Sequence, residues 1–282
     1  MARARERLSV VVLTSIPLGI EVTAALRALP EVGQLTLFSA PAIPHQTTAS
    51  LIRTTWRHEG MRGLLDAALR RARKAARLQE NRSPAALAAR RCPNVAHFPM
   101  AQFHSDACRA RISGLAPDLG VVVGTHVLKG DLFTIPRLGC INLHLGAAPE
   151  FRGSSPGFYE LLEGVPEAGV TIHRVTDTLD GGDILLQERF PLETAPDGDP
   201  VDYLRRYLAE VLCPNGVRMM AAAVAAMAHG TQTERVQDAA AARTYRRATC
   251  ALKRELRQRV AERRKGTLQA PVGRLTYGST EP

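Results

Sequence analysis

Short apolar runs alternate with longer mixed stretches along the first half of the chain. Residues 8–13 form an apolar run rich in β-branched side chains, 20–29 carry helical spacing, and 35–38 are apolar again. A strand, a helix and a second strand in that order is how a parallel α/β sheet begins. From 50 to 87 the pattern turns helical, with Leu64, Leu65, Ala68 and Leu69 spaced among arginines, until Pro84 and Pro93 interrupt it. Residues 95–98 predict a strand and 107–115 a helix. The apolar run 119–123, introduced by Pro117 and Asp118, predicts a strand covered on both faces. Residues 140–144 predict the next strand.

Beyond that strand lie a loop rich in Gly, Ser and Pro (146–157), a short helix (158–162) and two further strands (170–175 and 184–189). A turn-rich stretch, 191–200, leads to a long Ala-rich helix over 203–228, interrupted near Pro214. The tail from 243 to 264 is basic and helical in pattern. The expected architecture is α/β: a Rossmann-like, mostly parallel sheet flanked by helices. It comprises one domain over 1–200 with a helical insertion at about 50–90, followed by a helical, basic C-terminal extension over 201–282.

Composition narrows the class. With 282 residues, 45% of them hydrophobic and 23% charged, the chain can bury a proper core. No apolar run reaches the roughly 18 residues that cross a bilayer. The apolar stretch 8–13 is too short for a signal peptide, and a cytoplasmic protein is expected. Five scattered cysteines without a CxxC pair suggest neither a disulfide framework nor a zinc site, so no metal is expected. The net charge of +10 gathers in two blocks, one within 53–91 and one within 246–265. Neither interleaves aromatics for base stacking, so solvated helix faces or an anionic small substrate are expected rather than a specific nucleic acid.

The chemistry-bearing segment runs from 139 to 186. Asn142 and His144 are two apart on a strand, so their side chains share a face, and both stand at its C-terminal end before the Gly/Ser/Pro loop. Ligands bind at such strand ends in open parallel sheets. Asp180 lies in the turn Asp177-Thr178-Leu179-Asp180-Gly181-Gly182-Asp183. An Asn, a His and an Asp converging on one pocket suit acyl transfer: the His takes a proton near neutral pH, the Asn offers an amide donor to an oxyanion, and the Asp holds the His cation. Taken alone, a strand-end His is more often a structural residue. His173, on an alternating strand, reads either as a substrate contact or as a satisfied core residue. Asp183 reads as support for its turn, and Trp56 and Tyr159 as core aromatics.

The run Gly-Cys-Ile-Asn-Leu-His-Leu-Gly-Ala-Ala-Pro-Glu-Phe-Arg-Gly (139–153) resembles the signature of 10-formyltetrahydrofolate-dependent formyltransferases. So does Gly-Val-Thr-Ile-His-Arg-Val-Thr-Asp-Thr-Leu-Asp-Gly-Gly-Asp-Ile-Leu (169–185), and the two stand in the family's order and separation. The resemblance is clear over 117–192 and plausible over the first strand. It implies a formyltransferase catalytic domain with Asn142, His144 and Asp180 as catalytic residues and 10-formyltetrahydrofolate as co-substrate. It also implies pterin binding at Thr125, His126, Val127 and Leu128, with Val175, Thr176 and Asp177 closing the other side. Arg152, Gly153 and His173 fall on the substrate side.

One departure stands out: the family usually has Ser-Leu-Leu-Pro where this chain has Gly146-Ala147-Ala148-Pro149, which implies a wider pocket beside His144. The branches of the family differ in what surrounds the motifs. A purine-pathway enzyme is expected to carry a Gly-rich phosphate loop after the first strand, where this chain has Thr14-Ser15-Ile16-Pro17-Leu18-Gly19. A methionyl-tRNA enzyme is expected to carry a β-barrel after about residue 205, and a formyltetrahydrofolate hydrolase a small domain before the first strand. The expectation is therefore a small-molecule amine acceptor, anionic, such as an amino sugar nucleotide, with a homodimer possible. The competing reading of another class is a basic nucleic-acid binder.

Overall fold

The computed structural model describes residues 7–41 and 84–268, together with scattered helical positions between 52 and 69. Most of the expected insertion at about 50–90 lies outside the described residues.

Seven strands form one sheet: β1 (Leu8–Thr14), β2 (Val32–Ser39), β3 (Ala96–Pro99), β4 (Leu119–Val123), β5 (Cys140–His144), β7 (Glu167–Arg174) and β8 (Ile184–Pro191). Their order is β3-β2-β1-β4-β5-β7-β8. The pairs from β3 through β5 are parallel, and β7 and β8 are antiparallel additions at one edge. A separate two-stranded ribbon pairs β6 (Arg152–Gly153) with β9 (Thr244–Tyr245).

The central strands β1 and β4 are buried on both faces, as their continuous apolar runs require. Val10 and Val12 of β1, Leu119, Val121 and Val123 of β4, and Ile141 and Leu143 of β5 face one core cluster. On that face pack α1 (Leu18–Arg27), α2 (Pro84–Arg91) through Ala88, and α6 (Cys213–His229). Val11, Leu13, Val122 and Cys140 face the other cluster, together with Cys108 and Ile112 of α3 (Asp106–Leu115). Ser105 caps α3, its side chain accepting from the Cys108 N–H. A short helix, α4 (Phe158–Glu163), begins at Gly157 after the loop that follows β6.

The expected break near residue 200 does not divide the core. Leu204 and Tyr207 of α5 (Pro200–Tyr207) and Met219, Met220, Ala223, Val224 and Met227 of α6 belong to the first cluster. Between α5 and α6 the helix widens into a π turn over Leu208–Leu212, directly before Pro214, whose missing N–H leaves the preceding turn short of a donor. The helical run Pro200–His229 is long and apolar enough to cross a membrane by length and composition, and one face of it, including Leu204, Leu212, Met219, Met220 and Val224, is packed into this core.

Residues after α6 cross back over the sheet edge before α7 (Cys250–Arg264). The basic tail is helical, as its pattern predicts, and several of its arginines bind the core. Arg263 donates to the Leu161, Leu162 and Thr194 carbonyls, Arg264 to the Gly198 carbonyl, and Arg257 pairs with Asp199. Tyr159 is buried as expected, whereas Trp56, read as a core aromatic, is half exposed.

Candidate active site

The strand order places the topological switch between β1 and β4, and a cavity of about 480 Å3 opens at the C-terminal ends of these strands and β5. Period-two alternation sends Asn142 and His144 to the same face of β5 as Cys140. The antiparallel register sets Asn142 opposite His173 and His144 opposite Thr171, so His173 joins the pair from the neighbouring strand. The turn between β7 and β8 then brings Asp180 over all three. Its backbone is left-handed (φ 48°), a conformation that Asp adopts more readily than most residues.

The Asp180 carboxylate is the hub. Its Oδ2 accepts from the Gly153 N–H at 2.8 Å and lies 3.5 Å from His144 Nδ1. Its Oδ1 lies 3.5 Å from His173 Nε2 and 3.4 Å from Asn142 Nδ2. On the far side of the ring, His144 Nε2 is 2.7 Å from the Phe151 carbonyl oxygen. That oxygen can only accept, so Nε2 carries the proton and the Nδ1 lone pair faces the cavity side, beside Asp180. His173 Nδ1 is likewise 2.7 Å from the Arg174 carbonyl, which leaves Nε2 to accept from Asn142 Nδ2 at 3.1 Å. One Asn142 hydrogen is thus committed to His173, while the other makes only the long contact to Asp180.

Burial lowers the basicity of His144, against the opposing pull of Asp180 and of the bond to Phe151. Burial alone would raise the Asp180 carboxyl. The His144 charge, His173 and the Gly153 N–H outweigh it and hold the group at about 2. The resting pair is a neutral imidazole beside a carboxylate, prepared for a proton to arrive at Nδ1.

Thr125, His126, Val127, Leu128, Val175 and Thr176 all line the cavity, as do Asn142, His144, Gly153, His173 and Asp180. Asp177 does not line it; its Oδ1 is 3.4 Å from the Gly130 N–H, tying together the loops that bear the two groups of wall residues. Arg152 does not line this cavity but the small recess beside it, together with His144, and its guanidinium donates twice to Gln237 Oε1, at 3.1 and 2.7 Å. Gly146, Ala147 and Ala148, expected to leave a wider pocket beside His144, are not among the residues that line this cavity. Ala147 and Ala148 are fully buried, and a Cβ on Gly146 would stand 2.5 Å from both His144 Nε2 and the Phe151 oxygen. The space that a side chain would take there is filled by the bond that fixes the imidazole.

Three contributors carry no local sequence signal. The Phe151 carbonyl is a backbone group, and Gln237 and Tyr245 lie beyond α6 in a stretch without periodic patterning. Tyr245 stacks on Phe151 and Tyr159, with ring centroids 5.7 and 4.1 Å away. Its carbonyl crosses so close to Gly153 (φ 96°) that a Cβ there would meet it at 2.2 Å.

A doubly wound sheet thus brings an amide, two imidazoles and a carboxylate together at one end of its cavity. The chain belongs to the formyl transferase family, whose profile matches residues 48–209. Methionyl-tRNA formyltransferase of Ehrlichia canis (strain Jake) is 38% identical over 107 residues, 38% of this chain and 34% of that protein. The enzyme of the same name from Roseiflexus sp. (strain RS-1) is 35% identical over 137 residues, 48% of this chain and 40% of that one. The chain spans about a third of the length of the first of these curated relatives. Among solved structures, a 4-N formyltransferase from Francisella tularensis superposes with a TM-score of 0.55 at 15% identity, over 90% of this chain and 87% of that one. Glycinamide ribonucleotide transformylase 1 from Symbiobacterium toebii does so with a TM-score of 0.53 at 23% identity, over 82% and 95%. At these identities the structural likeness is one of fold.

Proposed function

We propose that this chain is an enzyme that transfers the formyl group of 10-formyltetrahydrofolate to a primary amine. The observation that carries the reading is the bare Nδ1 of His144, set against an ionised Asp180 and beside Asn142, where a cavity meets the strand ends. The cavity is of the size that small ligands occupy.

In this reading the amine nitrogen attacks the formyl carbon, and the carbonyl electrons move onto oxygen. Asn142 stabilises that oxygen by donating a hydrogen bond from the N–H now held loosely against Asp180. His144 Nδ1 takes the proton released by the amine, and the imidazolium is stabilised by Asp180 at 3.5 Å. The bond to folate N10 then breaks, N10 receives the proton, and the products are a formamide and tetrahydrofolate. The Phe151 bond holds the ring in the tautomer that this sequence needs.

The acceptor we favour is an anionic small molecule such as an amino sugar nucleotide, which a protein of net charge +10 attracts by steering. The second reading, a methionyl-tRNA acceptor, is favoured by the names of the curated relatives. We also infer work in the cytoplasm, in keeping with the free thiols of Cys92, Cys108, Cys140, Cys213 and Cys250. The test is a panel assay that follows tetrahydrofolate release with amino sugar nucleotides, glycinamide ribonucleotide and charged initiator tRNA. Turnover with the sugar nucleotides supports the favoured acceptor. Turnover confined to the tRNA selects the second reading, and release without any acceptor points to hydrolysis.

A further inference from the structure

The segment after α6 is built into the candidate active site. Arg235 bridges Ile184 through two backbone bonds of 2.8 and 2.9 Å, just past the Asp180 turn. Nine and ten residues on, Thr244 and Tyr245 pair with Arg152 and Gly153, and the Arg243 carbonyl accepts from the Arg152 N–H. Between these anchors lies Gln237, only 8% exposed. Its Nε2 donates to the Asp180 carbonyl at 2.9 Å and to the Gly182 carbonyl at 2.6 Å. Its Oε1 receives both bonds from Arg152, itself only 9% exposed.

These contacts close a ring. The Asp180 side chain is held by the Gly153 N–H, Gly153 follows Arg152 in the chain, Arg152 grips Gln237, and Gln237 returns to the Asp180 backbone. The ring matters because the turn it spans is loose by composition. A left-handed Asp180 followed by Gly181 and Gly182 has many backbone states of similar energy. Every donor and acceptor of the Gln237 amide that meets the turn or Arg152 is used, so the amide fixes the turn's two carbonyls relative to the β6 backbone. The Arg152 guanidinium also brings a positive charge close enough to depress the His144 basicity.

We propose that Gln237 and Arg152 are a positioning pair that sets where the Asp180 carboxylate stands against His144, and that the segment from Arg235 to Tyr245 is therefore part of the catalytic apparatus. This goes beyond the formyl-transfer reading but rests on it for the meaning of turnover.

The experiment compares Gln237→Met, which removes every bond of the amide at nearly the same length, with Gln237→Glu. The second variant keeps Arg152 paired, protecting the fold, but sets a carboxylate against the two turn carbonyls. For both we expect kcat to fall by about tenfold to a hundredfold, the scale of a small misplacement in an active site. KM for 10-formyltetrahydrofolate should change by less than about threefold, as expected for an interaction that acts on the transition state. The His144 titration, followed by nitrogen-15 NMR without any turnover, should move relative to wild type. Folded variants with wild-type kcat and an unmoved His144 titration overturn the proposal. If the wild-type protein transfers no formyl group, the functional reading fails by itself, and the His144 titration still decides whether the pair positions Asp180.

Discussion

His144 is oriented by one bond and faces its counter-ion with the other nitrogen: Nε2–H donates to the Phe151 carbonyl at 2.7 Å, and Nδ1 lies 3.5 Å from Asp180 Oδ2. A ring so held has one free lone pair, and a carboxylate is already in place for the cation it becomes. Removing either partner should therefore damage the chemical step more than binding. His144→Ala and Asp180→Asn are each expected to lower kcat by at least about 10², with far smaller changes in folate affinity. Stopped-flow single-turnover rates, set beside equilibrium binding of a folate that carries no transferable formyl group, separate the two effects. Near-wild-type turnover in both variants would remove these residues from the chemistry.

The pH dependence follows from the same pair. His144 is less basic in the fold than the ordinary histidine value of about 6.5, because burial penalises its cation. The base form is then full at neutral pH, and kcat should fall only on acidification below about 6.5. Asp180, held at about 2, stays ionised across that range and adds no limb. Stability carries the same sign: a folded-state pKa below the unfolded one means that the unfolded chain binds the proton more readily. The contribution of His144 is thus intact above the unfolded value and is lost as pH falls through the window beneath it. A kcat profile that still climbs between pH 7 and 8 would contradict this assignment.

Gly146 tests how the imidazole is fixed. A side chain there would meet His144 Nε2 and the Phe151 oxygen at 2.5 Å, and the backbone oxygen cannot swing aside as a flexible side chain can. Gly146→Ser is expected to lower kcat by about tenfold or more, through loss of the ring's orientation. A crystal structure of the variant with the Nε2–Phe151 bond intact, together with unchanged kinetics, would show that the bond does not depend on the glycine.

Much of this fold is written locally. The strands over 119–123 and 140–144 match β4 and β5 residue for residue, the first because it is an apolar run buried on two faces, the second because its apolar and polar residues alternate between breakers. The pairing of Asn142 with His144 on one face needed only the period of a strand. The contact with His173 required the antiparallel register of β7, which no local pattern specifies. Gln237 was out of reach altogether: a glutamine in a non-periodic stretch gives no sign of a bond to a turn 57 residues away. Arg152 followed its motif by position but not by partner, since only the fold shows the guanidinium turned onto Gln237. Gly146 shows the same limit, because a small residue reads as open space until the neighbour that fills it is known.

The thiols offer an independent check on the core. Cys92, Cys108 and Cys140 are buried, and burial pushes Cys108 up to about 11 and Cys140 up to about 12. Such thiols supply almost no thiolate at neutral pH. Brief iodoacetamide treatment of the native protein, read by peptide mass spectrometry, should leave all three unlabelled, while urea should expose them. Rapid native labelling of Cys140 would mean that β5, and with it the placement of Asn142 and His144, is not packed as described.

The central claim is best tested by following the formyl carbon itself. The protein is incubated with 10-formyltetrahydrofolate carrying carbon-13 in the formyl group and with the amine acceptor that gives turnover in the panel assay, and the products are read by NMR. Transfer predicts that the label appears as a formamide on the acceptor nitrogen, one for each tetrahydrofolate released, and that His144→Ala abolishes the signal. Label recovered as free formate, or a formamide that forms equally well with His144→Ala, would contradict the account.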